Sequence, residues 1–217
     1  MLKILTVYKT GGIYEEHHVL KIKNMLEKYV NIPYEFICLT DIESTKYKTI
    51  KLSENSKSWF SKLELFQING PCFYLDLDTI ICGNIDEILK NCLESKSPII
   101  TLSDFGLGGD HIGSGIMFWG ADLNTVFEEF TNNTEKYLDP KTVWGDKKML
   151  QAFGDQNILR HILKKYNINY SFFSEQHQSI VSFKRDLDRG RPFDRNKHKI
   201  VFFHGKPRPW EQKKIEY

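Results

Sequence analysis

Apolar residues along this chain fall into two rhythms that alternate from the N-terminus onward. Leu2–Tyr8 is a compact apolar run stopped by Thr10-Gly11-Gly12, the pattern of a strand ending in a turn. Glu15–Tyr29 instead places Val19, Ile22, Leu26 and Tyr29 on one helical face. Tyr34–Leu39 predicts a second strand. Ser58–Ile68 returns to helical spacing through Trp59, Leu63 and Phe66 and stops at Asn69-Gly70-Pro71. Cys72–Leu77 is apolar enough for a central strand, followed by a helix over Ile85–Cys92 and a strand over Ile99–Leu102. Ser114–Trp119 predicts another strand after a glycine-rich loop from Gly106 to Gly113. Helices are expected over Leu123–Tyr137 and Asp155–Tyr166, and short strands over Asn169–Phe172, Ser179–Phe183 and Lys199–Phe203. Strands alternating with helices imply an α/β fold with a mostly parallel central sheet and helices on both faces. In such folds ligands bind at the carboxyl ends of the strands.

Composition narrows the class without changing that outline. The 217 residues are 41% hydrophobic and 27% charged, and 15 Phe, 10 Tyr and 4 Trp exclude disorder for the bulk of the chain. The sequence has no apolar run of the roughly 18 residues a membrane span needs, and Met1–Tyr8 is too short and strand-like for a signal peptide. Cys38, Cys72, Cys82 and Cys92 show no CxxC pairing, so reduced thiols and a cytoplasmic setting (the host's, for a viral chain) are expected. With no repeat or linker in view, residues 1–217 read as one domain. Charge is uneven: Lys184–Tyr217 holds eleven Lys/Arg against five acids, a net +6, which leaves −4 for the rest of a chain whose total is +2. A basic tail beside an acidic body suggests an anionic ligand, or simply a solvated face.

Candidate chemistry sits at the strand ends. Phe73-Tyr74-Leu75-Asp76-Leu77-Asp78 closes an apolar strand with two acids two residues apart, which in extended chain share one side. Two such carboxylates repel unless a cation neutralises them, and a divalent ion that also bridges a diphosphate does so economically. The bland alternative is a pair of acids at a turn. Ile200–Phe203 likewise ends in His204-Gly205-Lys206-Pro207: an imidazole able to complete a metal site, a glycine for close approach, and a lysine able to face phosphate. Asp155-Gln156 after Gly154 offers an acid and an amide to sugar hydroxyls, although a helix N-cap explains Asp155 equally well. Gly113-Ser114-Gly115 is weaker evidence of close backbone approach, and Lys62 has the position of an ordinary surface lysine.

Leu75-Asp76-Leu77-Asp78, Gly113-Ser114-Gly115, Gly154-Asp155-Gln156 and His204-Gly205-Lys206-Pro207 together resemble, in order and over Met1 to about Trp210, the GT-A glycosyltransferases of family 8 and their small viral and bacterial relatives. Two spellings depart from family 8, where His, Gly and Lys are spaced apart and an Asn usually stands at Gly113. The resemblance implies Mn²⁺, with Mg²⁺ as the other oxygen-liganded choice, held by Asp76, Asp78 and His204 on the diphosphate of a UDP-sugar, UDP-glucose or UDP-galactose. It places Asp155 and Gln156 in the catalytic role at the sugar and Val7-Tyr8-Lys9 at the nucleobase. Lys62, Leu77, Gly113, Ser114, Gly115, Lys184, Arg185, Gly205 and Lys206 would complete donor binding, with segment 184–217 closing over it. The implied reaction moves a hexose to a hydroxyl on a glycan or glycoprotein acceptor, with no nucleic acid and no transmembrane segment involved.

Two other readings compete. A haloacid-dehalogenase-type phosphatase also uses a strand-end Asp-x-Asp, but that motif usually opens its chain, and no second acid follows Gly145-Asp146 or Gly154-Asp155 at the needed spacing. A nucleic-acid-binding module would grip through the basic tail and stack bases on Phe193, Phe202, Phe203 and Trp210.

Overall fold

The computed structural model describes residues 1–53, 58–104, 109–139, 154–173 and 177–216, so part of the loop beginning at Gly106 and all of Gly145-Asp146 lie outside the described residues. In chain order the elements are β1 (Leu2–Tyr8), α1 (Glu16–Tyr29), β2 (Tyr34–Thr40), β3 (Lys48–Lys51), a 3₁₀ helix (Ser58–Gln67), β4 (Cys72–Leu75), β5 (Thr79–Ile81) and α2 (Asp86–Glu94). There follow β6 (Ile99–Ser103), β7 (Ile112–Trp119), α3 (Asn124–Asn132), α4 (Thr134–Leu138), α5 (Asp155–Lys165), β8 (Tyr170–Phe172), β9 (Ile180–Ser182) and β10 (Ile200–Phe202).

Seven strands form the central sheet in the order β3-β2-β1-β4-β7-β6-β8. The β3-β2-β1-β4 half is parallel, β7 runs antiparallel to both β4 and β6, and β8 returns parallel to β6. Period-two alternation splits each strand between two cores. Ile4, Phe73, Leu75, Ile116 and Phe118 face α1 and α2 through Val19, Ile22, Leu26, Ile88 and Leu89. Leu5, Cys72, Tyr74, Met117 and Trp119 face the 3₁₀ helix, α3 and α5 through Leu63, Phe66, Val126, Phe130, Ile158 and Ile162. Helices therefore cover both faces, as the alternation of elements predicted. Among the described residues no helix is long and apolar enough to cross a membrane.

Several elements differ from expectation, each for a local reason. The apolar run at 72–77 stops being strand at Leu75, because Thr79 N–H donates to the Asp76 carbonyl at 3.1 Å and closes a turn. Ser58–Gln67 winds as a 3₁₀ helix, a form in which side chains three apart line up. The single helix expected over Leu123–Tyr137 breaks at Asn133, which caps α3 and starts α4. The strand expected to reach Phe183 ends at Ser182, whose hydroxyl accepts from Arg185 N–H and opens a π-helical turn over Phe183–Leu187. Strands β3 and β5 were not foreseen: β3 has no buried position, and β5 follows the Asp-x-Asp turn too closely to read as separate.

A small second sheet, β5-β10-β9, joins the two strand-end motifs. Antiparallel pairing sets Phe202 opposite Thr79, one residue beyond Asp78, so the chain after β10 emerges beside the aspartates. Phe202 and Phe203 are buried, which removes them as platforms for stacking bases.

Trp119 shows how tightly the main sheet is packed: it is fully buried, stacks 5.0 Å from Phe66, and donates from Nε1 to the Ile68 carbonyl at 3.2 Å. Trp119→Ala is expected to cost about 3–5 kcal/mol in urea unfolding, the range for emptying a large aromatic site. A loss below about 1 kcal/mol would mean this face is not close-packed.

Candidate active site

The 3₁₀ helix is fixed in the core by Leu63, Leu65 and Phe66, and that anchoring sends Lys62 inward. Lys62 is a buried lysine, not a surface one. Its Nζ lies 3.0 Å from Asp76 Oδ1, 3.4 Å from Asp155 Oδ2 and 3.1 Å from Ser114 Oγ. Burial alone would push its ammonium toward the neutral form; the charges of Asp155 and Asp76 outweigh that and hold it well above its usual range. The Tyr74 hydroxyl also donates to Asp76, and the backbone N–H of Asp76 donates to the Gly115 carbonyl at 2.9 Å. A Cβ on Gly115 would stand 3.3 Å from Asp76 Oδ2, so the glycine gives the carboxylate its room.

Asp155 is the first residue of α5, and it is not the cap. Gly154 holds that place with φ of 57°, and the Asp155 side chain turns to the site instead. Ser114 Oγ donates to its Oδ2 at 2.5 Å, and Lys62 approaches the same oxygen. Burial holds the Asp155 carboxyl above its ordinary range even against Lys62 and Ser114, with Asp76 adding repulsion. Next to it, Gln156 Nε2 donates to Asp104 Oδ2 at 2.8 Å; Asp104, buried just beyond β6, was not singled out from sequence.

Asp78 is buried and engaged elsewhere. Arg208 Nη1 donates to its Oδ2 and, at 3.1 Å, to the Tyr14 hydroxyl. Burial and then the charge of Asp76 push the Asp78 carboxyl up to about 6, against the pull of Arg208 and Tyr14. Trp210 packs 4.5 Å from the His18 ring and edge-on to Tyr14 at 6.0 Å, fastening the short 3₁₀ turn Pro209–Glu211 over the start of α1. Arg208, Tyr14 and Ser114's bond to Asp155 could not be read from spacing, because their partners lie 130, 194 and 41 residues away.

Other expected site residues stand further out. His204 is exposed, with Nε2 2.9 Å from Ser182 Oγ, and desolvation and then the Lys184 charge push its imidazole below the usual range. Gly205 turns at φ of 72°, so His204 and Lys206 do not share one side of an extended strand. Lys206 is 86% exposed and 3.9 Å from Glu211. Lys184 and Arg185 project from the π-helical turn, with Lys184 Nζ 4.0 Å from where a Gly205 Cβ would be. At the end of β1, Val7 is half-buried, Tyr8 is buried, and Lys9 lies 3.5 Å from Asp41, which Thr10 also holds. Leu77 is buried in the turn between the aspartates, and Gly113 passes 3.2 Å from Leu102 as measured to a would-be Cβ.

The donor set fits a divalent cation in part. Lys62 is paired with Asp76 and Asp155, and Arg208 with Asp78, so each of these three carboxylates already meets a cation of this chain. Asp76 and Asp78 supply the hard oxygen donors such an ion takes. Yet among the described residues no three His, Cys, Asp or Glu side chains converge to hold a metal, so His204 is not gathered with the aspartates.

No family model and no curated protein matches this sequence. Solved structures do match in shape. The glycosyltransferase GlyE of Streptococcus pneumoniae TIGR4 superposes with a TM-score of 0.63 at 13% identity, over 98% of this chain and 57% of that one. The galactosyltransferase LgtC, solved with donor and acceptor sugar analogues, gives 0.62 at 12% identity over 96% and 89%. A glycosyltransferase involved in glycosylating the major capsid of PBCV-1 gives 0.58 at 12% over 97% and 96%. The chain thus spans little more than half the length of GlyE, and it has the GT-A fold.

The raised Asp78 carboxyl gives a signed prediction. Because its folded pKa exceeds the unfolded value, the native state binds the extra proton between about pH 4 and 6, and stability falls as pH rises through that window. Asp86, Asp110 and Glu129, held down to about 2, act in the opposite sense and lose their contributions below about pH 4. Calorimetry should find the melting temperature of Asp78→Asn, relative to the parent chain, several degrees more favourable at pH 6.5 than at pH 4.5. A difference that does not vary with pH would show that Asp78 does not titrate there.

Proposed function

We propose that the chain is a glycosyltransferase that moves a hexose from UDP-glucose or UDP-galactose to a hydroxyl of a glycan or glycoprotein. The observation that carries this reading is the buried Lys62–Asp76–Asp155–Ser114 network at the carboxyl ends of β4 and β7's neighbours, next to the Asp78 turn, in a chain with the GT-A fold. The nucleobase rests against Val7-Tyr8-Lys9, and the diphosphate faces Asp76 and Asp78. A divalent cation held there, Mn²⁺ or Mg²⁺, would supply positive charge to the leaving diphosphate. Lys184, Arg185 and Lys206 add fixed positive charge from the exposed rim.

The chain's own residues organise the transfer. Lys62 neutralises and orients Asp76 and Asp155 together. Gln156, steadied by Asp104, meets a hydroxyl of the donor hexose. In a transfer that inverts the anomeric centre, Asp155 offers its carboxylate to the acceptor hydroxyl and takes its proton as the acceptor oxygen bonds to the anomeric carbon and the bond from that carbon to the diphosphate breaks. Burial raises the Asp155 carboxyl, which makes its carboxylate a stronger proton acceptor than an exposed one.

Two measurements test this. Titration calorimetry should show UDP-glucose or UDP-galactose binding with Mn²⁺ and none in EDTA or with Asp78→Asn; equally tight binding in EDTA would remove the cation from the reading. Asp155→Asn should keep UDP affinity within about twofold while turnover drops by roughly a hundredfold or more. An Asp155→Asn chain that unfolds, or that turns over normally, would make the residue structural.

A further inference from the structure

The head of the 3₁₀ helix carries an exposed indole. Trp59 is 63% exposed, whereas Leu63, Leu65 and Phe66 of the same helix are buried and Phe60 is partly buried. In a 3₁₀ helix residues three apart are eclipsed, so Trp59 stands one turn, about 6 Å of rise, above Lys62 on the same face. Lys62 forms the floor of the site, and Trp59 forms its rim. The indole edge also rests on Gly154: a Cβ there would lie 2.9 Å from Trp59 Nε1 and 3.2 Å from Cδ1. Gly154 leads directly into Asp155, so any side chain at 154 would push the ring away from the carboxylate.

We infer that Trp59 is the platform for the acceptor, stacking on the apolar face of its terminal hexose and presenting a ring hydroxyl to Asp155. This rests on the hexosyl-transfer reading above. An acceptor is favoured over the donor because Gln156, held by Asp104, is assigned to the donor hexose above, whereas Trp59 lies against Gly154, which leads into Asp155, the residue assigned to the acceptor hydroxyl. A sugar ring suits the surface: a hexose has one face of C–H groups that an aromatic plane covers, while its hydroxyls reach polar groups at the edge.

The test uses methyl β-galactopyranoside and methyl β-glucopyranoside as probes in saturation-transfer NMR and titration, with the parent chain, Trp59→Ala and Trp59→Phe. At least one glycoside should receive saturation mainly on the C–H hydrogens of a single ring face. Trp59→Ala should bind it about tenfold more weakly, the scale of one aromatic contact. Trp59→Phe should stay within about threefold of the parent chain, which separates stacking from a folding defect. Equal binding by Trp59→Ala, saturation spread evenly around the ring, or no binding of either glycoside by the parent chain would each overturn the platform. UDP titration of the parent chain judges the parent reading on its own. Trp59-dependent glycoside binding without UDP binding would keep the platform and sink the transferase. UDP binding with Trp59-independent glycoside binding would do the reverse.

Discussion

One buried ammonium organises the centre of this molecule. Lys62 lies between Asp76 and Asp155, side chains contributed by a turn after β4 and by the first residue of α5. Without it two carboxylates would share a buried space at close range, and one would take up a proton. Breaking a buried ion pair by removing one partner strands a charge and costs about 3–5 kcal/mol, so Lys62 ties the packing of the 3₁₀ helix to the electrostatics of the site. Ser114 of β7 completes the connection, bonded to both Lys62 and Asp155.

The second sheet performs a parallel task at Asp78. Pairing of β10 with β5 leads the C-terminal segment back to the Asp-x-Asp turn, where Arg208 provides the charge that Lys62 provides for its neighbours. The basic tail inferred from composition is thus used in two ways. Arg208 is spent inside on a carboxylate, and Lys184, Arg185 and Lys206 remain outside on the exposed surface.

Patterns of burial were legible in the sequence, and pairings across the fold were not. Leu2–Tyr8, Glu16–Tyr29 and the apolar runs at β4 and β7 announce themselves because period-two and helical spacing reflect which face is covered. Asp76, Asp155 and Gln156 stood out as candidates because polar residues at strand ends and helix starts are conspicuous. Spacing alone gave Lys62 the position of a surface lysine, and only the family resemblance put it at the donor, since its acids arrive from 14 and 93 residues later in the chain. Arg208 and Tyr14 were invisible for the same reason, and the order His-Gly-Lys drew attention to Lys206 when the next basic residue is the one that reaches the aspartate. The Asp-x-Asp pair was correctly taken as two neighbouring carboxylates, but a turn, rather than extended strand, sets where each one points.

On the function proposed above, this cluster of carboxylates with Lys62 and Arg208 receives a nucleotide sugar. The most direct measurement is a crystal structure of the chain soaked with a non-transferable fluorinated UDP-hexose and Mn²⁺. The account predicts the diphosphate against Asp76 and Asp78, the hexose beside Asp155 and Gln156, and Lys62 still bridging its two carboxylates. A nucleotide bound away from the β4 turn, with the Lys62 cluster closed and unaltered, would contradict it.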